Sequence, residues 1–167
     1  QLELYCYRVA SCVGILSAHI FGYKNKNTLT FAKNLGIALQ LTNIIRDLGE
    51  DARRGRIYIP LDELKKLGVS EEEIISLKNS GKIKNLVKNQ VDRALKFYSL
   101  AIETLPAEDK KSQKIGLIMG NIYYVLLNEI AKDNPEKILN QKTILPGFRK
   151  LRISILTMLG FSWIKNT

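Results

Sequence analysis

Gln40, Asn43, Asp47, Asp51 and Arg54 recur at intervals of three and four. On an α-helix, which turns ~100° per residue, they fall within roughly 80° of one another. Two carboxylates four residues apart offer oxygen ligands to a hard cation such as Mg2+, which can in turn bridge phosphate oxygens. Arg46, Arg53, Arg54 and Arg56 crowd the same stretch. Acid and base packed together without cancelling suit a metal-bridged diphosphate, the carboxylates holding the metal and the guanidiniums the remaining oxygens. Ile37, Leu41, Ile44 and Leu48 lie on the inner flank of the stripe, while Thr42, Arg46 and Gly49 fall on the opposite side, where water is expected. The carboxylates therefore lean toward the core, where they call for a metal ion or fixed basic side chains. Spacing alone also suits a solvated, charged helix end.

The elements that must position this stripe are all helical. Residues 2–21 repeat Leu2, Tyr5, Cys6, Val9, Cys12, Val13, Leu16 and Ile20 at three and four, with Gly22 placed to end the helix. The small Ala10, Ser11 and Gly14 allow a second helix to approach closely. That second helix, capped by Thr28 or Thr30, is expected to run to about Arg54, some 36 Å at ~1.5 Å per residue. Gly55 stops it, and Pro60 opens a short turn of helix through Leu64. Ser70 with Glu71, Glu72 and Glu73 forms an N-terminal cap. Amphipathic helices are expected over 82–104, closed by Pro106, and over 113–132, with Ile115, Ile118, Met119, Ile122, Leu126 and Ile130 inward. Asp133-Asn134-Pro135 ends the latter, and a basic helix is expected over 148–164. No segment alternates long enough to form a strand, so the class is all-α, a single domain over residues 1–167.

The chain's 167 residues and 46% hydrophobic content support a substantial core and argue against disorder. The longest charge-free apolar runs fall short of the ~18–20 residues that cross a bilayer, so no span is expected. No signal-peptide pattern opens the sequence, and Cys6 and Cys12, ~9 Å apart on a helix, cannot form a disulfide. A cytoplasmic setting follows as the expectation. The net charge of +10 attracts polyanions, anionic lipid or phosphorylated substrates without choosing among them.

The fuller strings narrow the choice. QLTNIIRDLGEDARRGRIYIP, from Gln40 to Pro60, resembles the second aspartate-rich motif of the squalene and phytoene synthase family. YCYRVAS at Tyr5–Ser11 resembles that family's upstream YCYxVA segment, and MGNIYYVLLNEI, from Met119 to Ile130, its late tyrosine-bearing helix. The resemblance covers essentially the whole chain. It implies an isoprenoid synthase helical bundle that joins two prenyl diphosphates head to head with the help of Mg2+. By that resemblance Asn43, Asp47 and Asp51 are metal-binding residues. Gln40, Arg46, Arg56, Tyr58 and Lys142 fall on positions that hold the diphosphates, and Tyr5 and Tyr123 on tyrosines facing the reaction cavity. There they shield a carbocation or relay a proton; taken alone, each also suits core packing.

The family's first acidic motif, of DxxxD type, lies upstream of the YCYxVA segment, where this sequence begins. The chain is accordingly expected to be the C-terminal part of such a domain, an incomplete bundle lacking the N-terminal helices and inactive by itself. Asp92, Glu103, Glu108, Asp109 and Glu129 show no comparable pairing and read as solvated faces. The segment RVASCVGILSAHIFG, with Ser11 where glycine is usual, is similar to bacterial presqualene diphosphate synthases. That points to farnesyl diphosphate as substrate and presqualene diphosphate, a hopanoid precursor, as product. A phytoene synthase acting on geranylgeranyl diphosphate is the alternative, and a non-catalytic scaffold relative a further one. No NADPH is expected if presqualene diphosphate is the product, and no GxGxxG loop is present. His19, without a partner at metal spacing, reads as a packing residue, as do Cys6 and Cys12. The last helix, with Phe148, Leu151, Ile155, Leu159, Phe161 and Trp163 amid Arg149, Lys150, Arg152 and Lys165, suits the core or peripheral contact with an anionic membrane. No recognition motif supports nucleic-acid binding.

Overall fold

A computed structural model describes residues 1–78 and 80–164, and among these every regular element is helical. The order is α1 (Leu2–Cys6), a π-helical turn (Tyr7–Ser11), α2 (Cys12–Phe21), α3 (Asn27–Arg46), α4 (Leu48–Arg53), α5 (Leu61–Lys66), α6 (Glu71–Ile75), α7 (Gly81–Thr104), a 3-10 turn (Ala107–Asp109), α8 (Lys114–Lys132), α9 (Pro135–Asn140) and α10 (Gly147–Met158).

α3 is the axis of the bundle and is buried nearly all round. Ile37, Leu41, Ile44 and Leu48 face the core as expected, but so does the side assigned to water. Thr42 is fully buried, its hydroxyl donating to the Ala38 carbonyl at 2.8 Å and lying 3.0 Å from the Tyr98 phenol. The amphipathic α7 supplies that phenol, with Ile83, Leu86, Val87, Val91 and Tyr98 buried along it. Periodicity registers one wet face; here a second helix covers it, at ~1.5–3 kcal/mol for each large apolar side chain removed from water.

Residues 2–21 form one continuous helical path, but its larger side chains do not point inward. Leu2 and Cys6 are buried, whereas Val9, Val13, Leu16 and Ile20 are exposed. Close approach to α3 explains the inversion. A β-carbon on Gly36 would sit 2.6 Å from the Ser11 Cα, and one on Gly14 3.0 Å from the Ala32 carbonyl oxygen. Helices this close meet through their small residues, and the π turn shifts the register so that Ser11 and Ala18 take the inner positions. The Leu2–Phe21 path, with mean hydropathy 1.3, is by length and composition able to cross a membrane. The run-length expectation differed because it stopped at isolated charges such as Arg8 that a window average tolerates.

Other departures have local causes. α3 takes no cap from Thr28 or Thr30; the Asn25 carboxamide accepts from the Asn27 amide at 3.0 Å. Asp109, expected on a solvated face, is buried and accepts from the Thr28 hydroxyl at 2.7 Å and from the Lys24 and Asn25 amides at 2.8 and 3.0 Å. Burial pushes its carboxyl up, but these bonds outweigh it and leave it below the ordinary range. Glu129, also read as solvated, pairs with Arg149 at 3.2 Å. α8 ends at Lys132, before Asp133-Asn134-Pro135 as expected, and Asn134 also caps the short α9, accepting from the Lys137 amide at 2.7 Å, with Pro135 in the first turn. On α8, Ile115 and Met119 are exposed, while Gly120, Asn121 and Leu127 take inner positions.

The basic last helix stops at Met158, six residues short of its expected end, and Lys165 lies outside the described residues. Beyond Gly160 the chain is held by the Asn121 carboxamide oxygen, which accepts from the Ser162 hydroxyl and the Trp163 amide at 3.3 and 2.9 Å. Cys6 is a core residue, its thiol pushed by burial up to about 11, but Cys12 is exposed. His19 is exposed as well, edge-on to Tyr23, because it shares the helix's outward face. The Ser70 capping box forms as read, with Glu73 reciprocating.

Candidate active site

The acidic stripe sits where α3 breaks. Asp47, at φ −96° and ψ 6°, interrupts the helix by one residue before α4 resumes. Hydrogen bonds still cross the break, from the Asp47 amide to the Asn43 carbonyl and from the Asp51 amide to the Asp47 carbonyl, both 2.8 Å. Gln40, Asn43, Asp47 and Asp51 consequently keep one direction, and all four are half-buried. α4 is pinned by contact with α9. A β-carbon on Gly49, expected to meet water, would overlap the Leu139 carbonyl oxygen. Arg53 donates to the carbonyls of Leu139 and Asn140 at 3.2 and 3.0 Å.

Asp47 is saturated with cations. Its Oδ1 accepts from Arg46 Nε and Lys142 Nζ, each at 2.8 Å, and its Oδ2 from Arg46 Nη2 at 2.7 Å. Lys142 also lies 3.3 Å from Glu50, whose other oxygen accepts from Arg54 at 2.7 Å. Burial pushes the Asp47 carboxyl up, but Arg46 and Lys142 outweigh it and hold it below the ordinary carboxylate range. Asp51 forms no ion pair among the described residues. Burial, and then repulsion from Asp47, raise its carboxyl, with Arg54 and Arg56 opposing. The two acids of the motif are thus driven apart in basicity, a pattern that marks functional sites.

Tyr5 and Tyr58 stack across this end of α4 with ring centroids 5.4 Å apart. The Tyr5 phenol is raised first by burial and then by Tyr58, with Asp51 near enough to contribute. Tyr123 lies beside the Arg46 guanidinium from the α8 side. Gln40, Asn43 and Tyr123 form the polar edge of an apolar cavity of about 370 Å³, which continues past Leu39, Leu35, Val13, Phe21 and Phe31. Gly116 leaves room for that wall, since its missing β-carbon would lie 3.6 Å from the Phe31 ring. A second groove of about 380 Å³ shares Met119 and Tyr123 with the first and is bordered by Arg46, Lys142 and Lys150.

All the expected site residues therefore converge on one end of α3 except Arg56, which is exposed and reaches the site only through its charge beside Asp51. Arg46, placed by the helical wheel on the water side, folds back onto Asp47 with an 18% exposed side chain. Arg53 and Arg54 are occupied with α9 and Glu50. Glu50, not singled out in the sequence, completes the cluster; its place between Asp47 and Arg54 in the string is the signal for it.

No group of three or more His, Cys, Asp or Glu side chains among the described residues forms a ready metal cage. The donor set nevertheless fits Mg2+. The Asn43 Oδ1 is buried without a hydrogen-bond partner, and its Nδ2 reaches Gln40 only at 3.5 Å. A buried acceptor left unpaired is costly unless a cation or donor is meant to meet it. Asn43, Asp47 and Asp51 supply hard oxygen atoms, and Mg2+ ordinarily completes its shell with water and substrate phosphate.

Residues 1–149 match the Squalene/phytoene synthase family. The chain is 37% identical over 164 residues to a phytoene synthase of Arthrospira platensis, covering 90% of this chain and 53% of that protein. It is 44% identical over 140 residues to the chloroplastic phytoene synthase 2 of Zea mays, covering 80% and 35% respectively. A ligand-bound dehydrosqualene synthase structure superposes with a TM-score of 0.82 at 27% identity, over 95% of this chain and 56% of that one. Squalene synthase HpnC from Alicyclobacillus acidocaldarius shares the fold, with a TM-score of 0.66 at 23% identity over 80% of this chain. The chain spans about half or less of the length of these proteins. With the motif residues gathered at the broken end of α3, it belongs to the squalene/phytoene synthase family.

Proposed function

We propose that this chain carries one acidic wall of a prenyltransferase active site that joins two prenyl diphosphates head to head. The observation that carries the reading is that Asn43, on the polar edge of the apolar cavity, shares one half-buried stripe with Asp47 and Asp51, while Arg46 and Lys142, paired with Asp47, line the adjoining groove. Arg46 and Lys142 bind and orient the diphosphate oxygens. Mg2+, when held by Asn43, Asp47 and Asp51, would neutralise the leaving diphosphate as the allylic C–O bond breaks. The cavity excludes water from the resulting carbocation, and Tyr123 on its edge supplies an aromatic ring to it, while Tyr5 stacks on Tyr58 outside the cavity lining. The double bond of the second substrate attacks that carbon, and loss of a proton closes a cyclopropane.

Two chain lengths have support. The likeness around Ser11 favours farnesyl diphosphate and presqualene diphosphate. The two phytoene synthases named above favour geranylgeranyl diphosphate and phytoene. We further propose that turnover needs a second acidic wall supplied by helices outside this sequence, which would meet the exposed Val9, Val13, Leu16 and Ile20.

The test joins this chain to the N-terminal portion of the Arthrospira platensis enzyme, supplies each diphosphate with Mg2+, and identifies products by mass spectrometry. A head-to-head product from either substrate, lost in Asp47→Asn, supports the reading, and the substrate used decides the chain length. A folded fusion that releases no diphosphate from either, or product from the 167-residue chain alone, contradicts it.

A further inference from the structure

We propose that Asp133, acting through Thr143, is the positioning residue that holds Lys142 over Asp47; the inference rests on the prenyltransferase reading and adds to it how one diphosphate-binding cation is placed. Arg46 is carried by α3, whereas Lys142 lies in the connection between α9 and α10. Among the described residues, the backbone of Lys142, Thr143 and Ile144 forms no hydrogen bond. The stretch is anchored only at its flanks, by the buried Leu139 before it and Leu145 after it, and Ile144 between them is 66% exposed. A lysine is a point charge on a flexible four-carbon stem, so on such a backbone it would reach the site in many conformations and lose them all on binding.

One side-chain bond removes that freedom. The Thr143 hydroxyl donates to Asp133 Oδ2 at 2.7 Å, while its neighbour Lys142 reaches Asp47 at 2.8 Å and Glu50 at 3.3 Å. Asp133 is itself fixed. Its amide donates to the Ile130 carbonyl at the end of α8, and its Oδ1 accepts from Lys137 Nζ at 2.6 Å. Burial pushes the Asp133 carboxyl up, but Lys137 and Thr143 outweigh it and hold it below the ordinary range, so the acceptor is charged and the bond correspondingly strong. The bond joins residues ten positions apart and closes the α9 loop at its neck. The rest of that loop already rests on α4, through the Leu139 carbonyl against Gly49 and through Arg53. With both sides of the loop fixed, Lys142 emerges at one place, beside the groove that Arg46, Tyr123 and Thr143 border. Asp133 borders neither that groove nor the apolar cavity, so its influence on the site passes through Thr143.

The test is calorimetric titration of the full chain with inorganic pyrophosphate and Mg2+. Wild type is expected to bind, and Lys142→Gln to bind more weakly. Thr143→Val keeps the shape of the side chain and removes the hydroxyl; freeing the backbone of one residue should weaken binding by roughly fivefold or more. Thr143→Ser should restore wild-type affinity, and Asp133→Asn, which keeps an uncharged acceptor, should fall between wild type and Thr143→Val. In a Lys142→Gln background Thr143→Val should cost nothing further, a dependence that a merely structural role would not produce. Wild-type affinity in Thr143→Val, or an equal loss with and without Lys142, would overturn this inference alone. A wild type that binds no pyrophosphate would overturn the prenyltransferase reading and this inference with it.

Discussion

Asp47 and Asp51 are four residues apart on one stripe, yet their surroundings give them opposite stability signs. The lowered Asp47 carboxyl contributes stability that is present above its unfolded value, near pH 4, and lost as pH falls through its lower folded value. Asp51 is raised, so the folded state holds its proton longer than the unfolded one. That contribution is present at low pH and is lost as pH rises past the unfolded value through the folded one. At pH 7 without Mg2+, Asp47→Asn should therefore destabilise by about 1–2 kcal/mol, since Arg46 and Lys142 lose a charged acceptor. Asp51→Asn should be neutral or stabilising by about 0.5–1 kcal/mol, the sign expected where a site stores repulsion for function. Thermal melts of both variants at pH 3.5 and 7 check this, and equal losses would refute the assignment. The spacing puts both acids on one stripe, which the structure half-buries, but not their difference, which depends on Lys142 arriving from 95 positions away.

At the scale of elements, the helices were legible because periodicity and punctuation are local. The Ser70–Glu73 box, Gly55 and Pro106 each fixed a boundary. Orientation was less legible, because a wheel distinguishes apolar from polar while packing distinguishes small from large. Ser11, Gly14 and Gly36 bring α2 and α3 close enough to turn Val9 and Val13 outward. Gly36→Ala should accordingly cost about 1–3 kcal/mol, as overpacking a tight contact does. Gly116→Ala, whose new methyl would rest 3.6 Å from Phe31, should stay within about 1 kcal/mol of wild type. Denaturant midpoints distinguish the two, and a Gly36→Ala variant as stable as Gly116→Ala would show that the helices separate without penalty. Asp109 was misread for a related reason. Its partners, the Lys24 and Asn25 amides, belong to a turn more than 80 residues earlier, which no local pattern reveals.

For the whole molecule, the cavity, the cation cluster and the broken helix form a single asymmetric arrangement: an apolar space of about 370 Å³ with a polar edge at one end. On the proposed reading, prenyl diphosphates would occupy this space. Asp47 is paired with Arg46 and Lys142, so on the proposed reading a metal held by Asp47 and a diphosphate held by those two cations would bind cooperatively. Calorimetric titration of the chain with farnesyl thiodiphosphate, which resists ionisation, tests this most directly. With Mg2+ present, binding is predicted at least tenfold tighter than in EDTA, and Asp47→Asn should abolish that gain. Equal affinity with and without Mg2+, or an unchanged gain in Asp47→Asn, would contradict the account.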